Sequence, residues 1–289
     1  MMRHQSKRYV VAVVPSEQAS DGAGVRLRRA VGMHGLPEVG PFLLLDEIHS
    51  SDPSAYIAGF PPHPHRGFET VTYMLSGQMQ HRDSTGGQGV ITGGDVQWMT
   101  AGSGVIHSEM PAQQDGLMWG FQLWLNLPSA QKMRPPEYIE LKSDSIPEVK
   151  LDGLTVRVIA GAFEGATGPA PERDTQPLYL DVRMTAGARH EIQVPEGHDC
   201  FVYVYDGVLT TEANGAQVTV PRKSTAQLSR VGSVAAETGT GASFLLIAGK
   251  PLGKPVARTG PFVMNTESEL EVAMTDYRTG RLVQAPPKR

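Results

Sequence analysis

Short runs of alternating or β-branched residues recur along most of the chain, and they constrain its fold more strongly than any other feature. Helical periodicity is scarce beside runs such as YVVAVV, FETVTYML, LTVRVIAG, PLYLDVRM, HEIQVP, CFVYVYDGVLT, AQVTVP and ASFLLIAG. Glycine, proline, asparagine and aspartate separate these runs at a spacing typical of a β-sandwich or barrel. A chain of 289 residues is large for one such domain and suits two. The sequence therefore predicts an all-β protein of two domains with few short helices.

An internal repeat supports the two-domain interpretation. Several residues fall on identical residues without a gap when the sequence is shifted by 130 positions: Tyr73 on Tyr203, Gly77 on Gly207, Gln97 on Gln227, Gly102 on Gly232 and Ser103 on Ser233. Two tandem copies of one β-domain would produce this pattern.

Two pairs of potential metal ligands lie in the first copy. One residue separates His63 from His65, and one separates His107 from Glu109. Residues two apart in a β-strand point to the same face, so each pair would present two ligands to one side of a sheet. Imidazoles with a carboxylate and no thiolate suit Fe(II), Mn, Ni, Cu or Zn better than Ca or Mg. We therefore predict a transition-metal site that leaves up to two coordination positions for water or substrate.

The second copy lacks these ligands. The same 130-residue shift replaces all of them, with His63 falling on Gln193, His65 on Pro195, His107 on Glu237 and Glu109 on Gly239. We therefore expect the metal in the N-terminal domain only, and we interpret His190 and His198 as surface or turn histidines.

Three longer segments carry a resemblance to a known family. GFPPHPHRGFETVTYMLSGQMQHRDS and ITGGDVQWMTAGSGVIHSEMP resemble the N-terminal domain of the pirin family, a branch of the cupin superfamily, and GKPLGKPVARTGPFVMNTESEL resembles its C-terminal domain. The resemblance implies two tandem cupin-type β-barrels (a bicupin), with a metal-binding domain over residues 1–130 and a domain without ligands over residues 131–289. It also implies one metal ion per chain, usually iron as Fe(II), held by His63, His65, His107 and Glu109.

The carboxylate ligand has an alternative. Many cupins take it from a position that matches Glu69, which strand parity places on the same face as His63 and His65. Strand parity alone therefore does not decide whether Glu69 or Glu109 is the carboxylate ligand, and the family pattern favours Glu109.

The resemblance implies two functions of different classes. Pirin-like bacterial proteins resemble flavonol dioxygenases of quercetin 2,3-dioxygenase type, which open the central ring of a flavonol with O₂ and release carbon monoxide. In that reaction Glu109 would be the catalytic base that removes the proton of the flavonol 3-hydroxyl, and the substrate would be a small, flat aromatic molecule. The alternative is an iron-dependent, redox-sensitive regulator that binds a protein partner not identified by the sequence.

Large apolar side chains near the predicted site would either form a pocket for a flat ligand or fill the barrel core: Phe60, Phe68, Met74, Trp98, Met99, Met110, Phe121 and Trp124. His81 and Asp83 form a further same-face pair, which we interpret as a polar strand end rather than as support for the metal ligands.

Net charge, cysteine content and apolar segments indicate the ligands and the cellular compartment to expect. The net charge of −4 gives no global attraction for nucleic acid, and the single cysteine, Cys200, fits a reducing compartment. The first apolar run stops at Val14, and no stretch is long enough to span a membrane. A cytoplasmic protein is expected.

Two further segments have predicted local structure. Thr266 and Glu269 have capping-box spacing for a helix that ends near Gly280, and residues 129–150 are expected to form a linker.

Overall fold

Strands dominate the structure, as predicted. The computed structural model describes residues 7–213 and 215–283. The first half contains β1 (Val10–Pro15), β2 (Glu17–Asp21), β3 (Val25–Val31), β4 (Phe42–Ser50), β5 (Phe60–His65), β6 (Phe68–Ser76), β7 (Gln78–Asp83), β8 (Gln88–Thr92), β9 (Val96–Thr100), β10 (Val105–Pro111), β11 (Met118–Asn126) and β12 (Glu137–Leu141). The second half contains β13 (Glu148–Leu151), β14 (Leu154–Ala160), β15 (Ala162–Phe163), β16 (Ala166–Thr167), β17 (Leu178–Met184), β18 (Arg189–Ile192), β19 (Asp199–Ala213), β20 (Ala216–Pro221), β21 (Ser224–Leu228), β22 (Val234–Glu237), β23 (Ala242–Gly249), β24 (Ala257–Thr259) and β25 (Phe262–Met264).

Helices are few among the described residues. One α-helix, α1, spans Glu267–Arg278, and single 3₁₀ turns cover Pro53–Ala55, Ser129–Gln131 and Ser143–Ser145. The predicted capping box is confirmed, because the Thr266 hydroxyl accepts from the backbone N–H of Glu269 while the Glu269 carboxylate accepts from that of Thr266. In the described part of the chain, no helix has the length and apolar character needed to cross a membrane.

The internal repeat appears as repeated topology. In the first copy a seven-stranded sheet has the order β12-β9-β6-β11-β4-β3-β2, and a four-stranded sheet has the order β5-β10-β7-β8. In the second copy the main path is β1-β21-β19-β23-β17-β14-β13, and β18, β22 and β20 join through the long strand β19. Each position of the first order has a counterpart in the second. Strand β19 corresponds to β6 and β7 together, which Gly77 separates in the first copy.

Two compact units arise from segments that interleave in sequence. Among the described residues, one comprises residues 7–17, 30–42 and 144–251, and the other comprises residues 18–29, 43–143 and 252–283. The N-terminal segment thus supplies β1 to the unit that contains the second copy, and the C-terminal segment supplies α1 to the unit that contains the first. A single division at residues 130/131 stays a prediction about sequence domains, and it does not describe these compact units.

The predicted linker is wrong for much of its length. Within residues 129–150, strand β12 pairs antiparallel with β9, from Glu137 opposite Thr100 to Leu141 opposite Val96. Two features make this strand difficult to recognise in the sequence. Prolines precede it directly, and its apolar pattern, YIEL, is only four residues long.

Each unit buries its own apolar core. In the unit with the second copy, strand β14 shows why the pattern predicts a strand, because Leu154, Val156 and Val158 are buried and the residues between them are partly exposed. In the unit with the first copy, β6 and β9 are buried on both faces. Polar side chains on those two strands therefore lie inside the protein, where they can form a site.

Candidate metal centre

Two neighbouring strands bring three histidines together. Strands β5 and β10 pair antiparallel, so that His107 lies directly opposite His63 and Val105 lies opposite His65. The pairing is irregular between His107 and Glu109, the kind of local disruption that often accompanies functional sites. One ring nitrogen from each of the three histidines lies within 4.8 Å of the others. His65 and His107 are buried and His63 is partly exposed.

Backbone carbonyls fix which nitrogen of His63 and His65 carries the proton. His63 Nδ1 lies 2.8 Å from the Pro61 carbonyl oxygen, and His65 Nδ1 lies 3.3 Å from that of Pro261. Because a carbonyl only accepts, both Nδ1 atoms must donate. The two Nε2 lone pairs then face each other at 3.0 Å. This contact is repulsive between neutral rings, whereas two ligands of one ion about 2.1 Å from each nitrogen are separated by about this distance.

His107 presents a third lone pair to the same space. Its Nδ1 lies 3.5 Å from Nδ1 of His81, and its Nε2 is buried with no hydrogen-bond partner among the described residues. A buried nitrogen without a partner is unfavourable unless an ion or another group binds it. The donor set therefore fits a divalent transition metal, as predicted for these three histidines.

Burial keeps the ligands in the form that binds metal. Burial lowers the pKa of His65 well below the usual histidine range, and the neighbouring His63 lowers it further. Burial likewise lowers the pKa of His107, with a further contribution from His65. Both rings are consequently neutral near pH 7, and neutral imidazole is the form that ligates metals.

Glu109 is buried beside the cluster, but its carboxylate is not one of the mutually close ligand atoms. Its Oε1 accepts from Thr72 Oγ1 and from Gln97 Nε2, each at 3.0 Å, and its Oε2 accepts from Gln122 Nε2 at 2.6 Å. The assignment of Glu109 as fourth ligand and base stays a prediction.

The parity argument for Glu69 is wrong. Strand β5 ends at His65, and Glu69 belongs to β6 in the other sheet, so the alternation does not continue from one to the other. Gly67 interrupts the chain with φ +89°. Glu69 is buried and its Oε1 accepts from Thr100 Oγ1 at 2.6 Å, and it too lies outside the three-histidine cluster.

His81 and Asp83 are not a polar strand end, contrary to our interpretation from the sequence. Both side chains are buried on β7, whose residues Asp83 and His81 lie opposite His107 and Glu109 of β10. His81 Nε2 lies 2.9 Å from Asp83 Oδ2. The spacing of His81 and Asp83 in the sequence indicates that both point to one face of a strand. Only the strand register shows that this face places the pair behind His107.

A cavity of about 570 Å³ opens beside the histidines. Of the eight apolar residues singled out in the sequence, Phe60 and Trp124 line it, whereas Phe68, Trp98 and Met99 are fully buried as core. His63 and His65 also line it. Its volume lies within the range of small-molecule sites.

Apart from His63 and His65, the sequence motifs did not point to the polar residues of this cavity. Arg29 is paired with Asp46 and Asp21, at 2.7 Å and 3.1 Å. Arg258 lies over the Trp124 ring, 4.7 Å from its centroid, and donates to the Leu43 carbonyl oxygen. These residues come from segments that are distant from the histidine motif in sequence.

Comparisons with known proteins agree with this architecture. Residues 24–125 match the family model described as Pirin, and residues 179–283 match that of the Pirin C-terminal cupin domain. A pirin-like protein of Caulobacter vibrioides is 47% identical over 276 residues, covering 95% of this chain and 99% of the relative. Pirin of Homo sapiens is 43% identical, with 96% and 94% covered. A crystal structure of quercetin 2,3-dioxygenase from Acinetobacter baumannii is 35% identical and superposes with a TM-score of 0.88, covering 96% of this chain and 99% of that one.

Proposed function

The chain belongs to the pirin family, with two cupin-type domains, and from this premise we propose that it is a metal-dependent oxygenase of quercetin 2,3-dioxygenase type. The metal is Fe(II), one ion per chain, with His63, His65, His107 and Glu109 as ligands. The observation that carries the proposal is the set of three inward-facing histidine lone pairs beside a cavity of small-molecule size.

The proposal draws on the comparison as well as the geometry. The quercetin 2,3-dioxygenase from Acinetobacter baumannii is similar to this chain over nearly the whole of both chains. Bound iron would supply the redox-active centre at which a flavonol and O₂ react. The remaining steps depend on side chains of this protein.

The cavity suits a flat aromatic substrate with polar groups at its edge. Phe60 and Trp124 offer apolar and aromatic surface, and Gln122 offers an amide. Trp124 is fixed by a hydrogen bond from its Nε1 to Gln122 Oε1 at 3.1 Å.

Glu109 is the proposed base for the 3-hydroxyl of the flavonol. Its carboxylate is held by hydrogen bonds, and Gln122, one of its donors, also lines the cavity. A carboxylate buried near the substrate can accept a proton once it lies within hydrogen-bond reach of the hydroxyl. The hydrogen bonds from Thr72, Gln97 and Gln122 orient it for that transfer.

The test is an aerobic assay of the iron-loaded protein with quercetin, following flavonol absorbance and carbon monoxide release. We expect O₂-dependent turnover with stoichiometric carbon monoxide, and loss of turnover in Glu109→Gln. The exposed Glu137→Gln, on β12, is the matched control and should keep wild-type activity. Consumption no faster than with free iron between about pH 6 and 8, where neutral histidine ligands are available, would overturn the dioxygenase proposal.

That negative outcome would favour the alternative function, an iron-dependent regulator with a protein partner. It requires metal binding and tight capture of a protein partner without flavonol turnover, so partner capture by the same iron-loaded preparation distinguishes the two functions.

A further inference from the structure

We propose that Asp83 and His81 act as a positioning pair for His107: they hold its ring in the tautomer that exposes Nε2 to the metal, and they place a fixed negative charge behind it. The inference rests on the proposed metal site. It predicts that this pair sets the affinity for the metal and the reduction potential of bound iron, although neither residue touches the ion.

The direction of the hydrogen bonds follows from the carboxylate. Asp83 Oδ2 can only accept, so His81 Nε2, at 2.9 Å, must donate to it. With His81 neutral, its Nδ1 is then an acceptor. His107 Nδ1, at 3.5 Å, donates to that atom, and the His107 Nε2 lone pair points into the three-histidine cluster.

Asp83 is itself held rigidly. Its Oδ1 accepts from the backbone N–H of Thr85 at 2.8 Å, from the Thr85 hydroxyl at 2.6 Å and from the backbone N–H of Gly87 at 3.0 Å. Burial raises the pKa of Asp83, but hydrogen bonds from His81, Thr85 and Gly87 more than offset this and bring it to about 2. The turn after β7 therefore leaves Oδ2 directed at His81.

His81 is fixed as firmly as its partner. It is fully buried, and its ring stacks on Tyr138 with centroids 4.3 Å apart and an interplanar angle of 15°. A metal-ligating histidine commonly donates its other N–H to a carboxylate or carbonyl, which fixes the tautomer and raises ligand basicity. Here His63 and His65 donate to backbone carbonyls, whereas His107 is connected to a charged carboxylate through a second imidazole.

The removal of the charge reverses the chain of hydrogen bonds. In Asp83→Asn, the turn donors hold the amide oxygen, so the amide nitrogen faces His81 Nε2. His81 must then carry its proton on Nδ1, which forces the proton of His107 onto Nε2 and blocks the ligand atom. His81→Asn tests the tautomer separately from the charge, because its amide oxygen can accept from His107 Nδ1 but the side chain cannot reach Asp83.

The experiment combines a readout without metal and two with metal. Histidine side-chain ¹⁵N NMR of the chelator-treated protein should show Nδ1–H at His107 and Nε2–H at His81, and both should change in Asp83→Asn. Titration with Co(II), followed by its visible absorption, should show affinity weakened by about 10- to 100-fold in Asp83→Asn, and less in His81→Asn. Electrochemistry of the iron-loaded protein should give a more positive potential in Asp83→Asn, because loss of the negative charge favours Fe(II) over Fe(III). His81→Asn should give a smaller shift in the same direction, because the carboxylate remains but no longer acts on His107 through an imidazole.

Asp95→Asn is the matched control. Asp95 also accepts from turn backbone groups, at Thr92 N and Ser143 N, but it does not contact the histidines. Wild-type Co(II) affinity and potential in Asp83→Asn, or equal losses in Asp95→Asn, would overturn the proposal. If wild-type protein binds no metal, the proposed function fails, and the NMR tautomers alone support or reject the pair. If Asp83→Asn does not fold, the measurements on His81→Asn decide.

Discussion

At the scale of single residues, the site depends on which nitrogen of each imidazole is available. The Pro61 and Pro261 carbonyls occupy Nδ1 of His63 and His65, and His81 occupies Nδ1 of His107. Three Nε2 atoms remain, and their mutual proximity without an ion is unfavourable. Metal binding would convert this repulsion into coordination.

The first prediction concerns metal content. Purified protein should contain one transition-metal ion per chain, and His63→Ala/His107→Ala should lose it, because the cluster then retains one histidine. Elemental analysis measures both, and His190→Ala, a histidine of the other copy whose Nε2 contacts the Asp152 carbonyl oxygen, is the control. Two ions per chain, or full metal in the double variant, would contradict the prediction.

The second prediction distinguishes the two buried carboxylates. Glu109→Gln should weaken metal binding and abolish flavonol turnover, because the amide is a poor ligand and no base. Glu69→Gln should keep most of the metal, since its carboxylate bonds to Thr100 outside the cluster. Metal affinity and turnover of both variants are the measurements, and the reverse pattern would assign the ligand to Glu69.

At the scale of elements, the turn between β5 and β6 orients the histidine motif. Arg66 donates from Nε to the Ser103 carbonyl oxygen at 2.6 Å and pairs with Asp276 of α1 at 2.9 Å. The next residue, Gly67, adopts a left-handed backbone and packs against the carbonyl of Val263 in β25. The C-terminal segment thus fixes the turn that directs His63 and His65.

The third prediction tests this turn. Gly67→Ala should destabilise the protein by more than the roughly 1 kcal/mol expected for an unsuitable left-handed position, because the new Cβ would also collide with the Val263 carbonyl oxygen. Gly86→Ala is the matched control, with φ +93° and open space around its Cβ. Denaturant unfolding measures both, and equal losses would show that backbone conformation alone accounts for the effect.

At the scale of the molecule, segments far apart in sequence are connected by a buried lysine. Lys132 Nζ donates to the Gly67 carbonyl oxygen, to Asn126 Oδ1 and to the Val263 carbonyl oxygen, at 2.8, 2.8 and 2.9 Å. Burial lowers the pKa of Lys132 to about 8, against a smaller opposing effect of Glu269. The amine therefore satisfies three acceptors within one compact unit, while its charge is costly to bury.

The fourth prediction follows from that pKa. An unfolded lysine titrates near ~10.4, so between about pH 8 and 10 the folded state binds fewer protons than the unfolded state. The contribution of Lys132 to the free energy of unfolding should consequently rise with pH across this window. Denaturant unfolding over that range should show that the free energy of unfolding of the wild type rises with pH relative to that of Lys132→Met. A constant difference would contradict the lowered pKa.

The sequence by itself determined the all-β class, the capped helix and the two histidine-bearing motifs, because each is a local signal carried by residues one to four positions apart. It also contained the internal repeat, which a comparison of the chain with itself at a shift of 130 positions detects. It also favoured the family through long continuous motifs. Tertiary structure alone decided what strand register and turn geometry control: that Glu69 lies in another sheet, that His81 and Asp83 stand behind His107, and that residues 258–261 reach the histidines from nearly 200 positions away. Side-chain alternation identifies a strand and its two faces, but it carries no information about which strand becomes its neighbour.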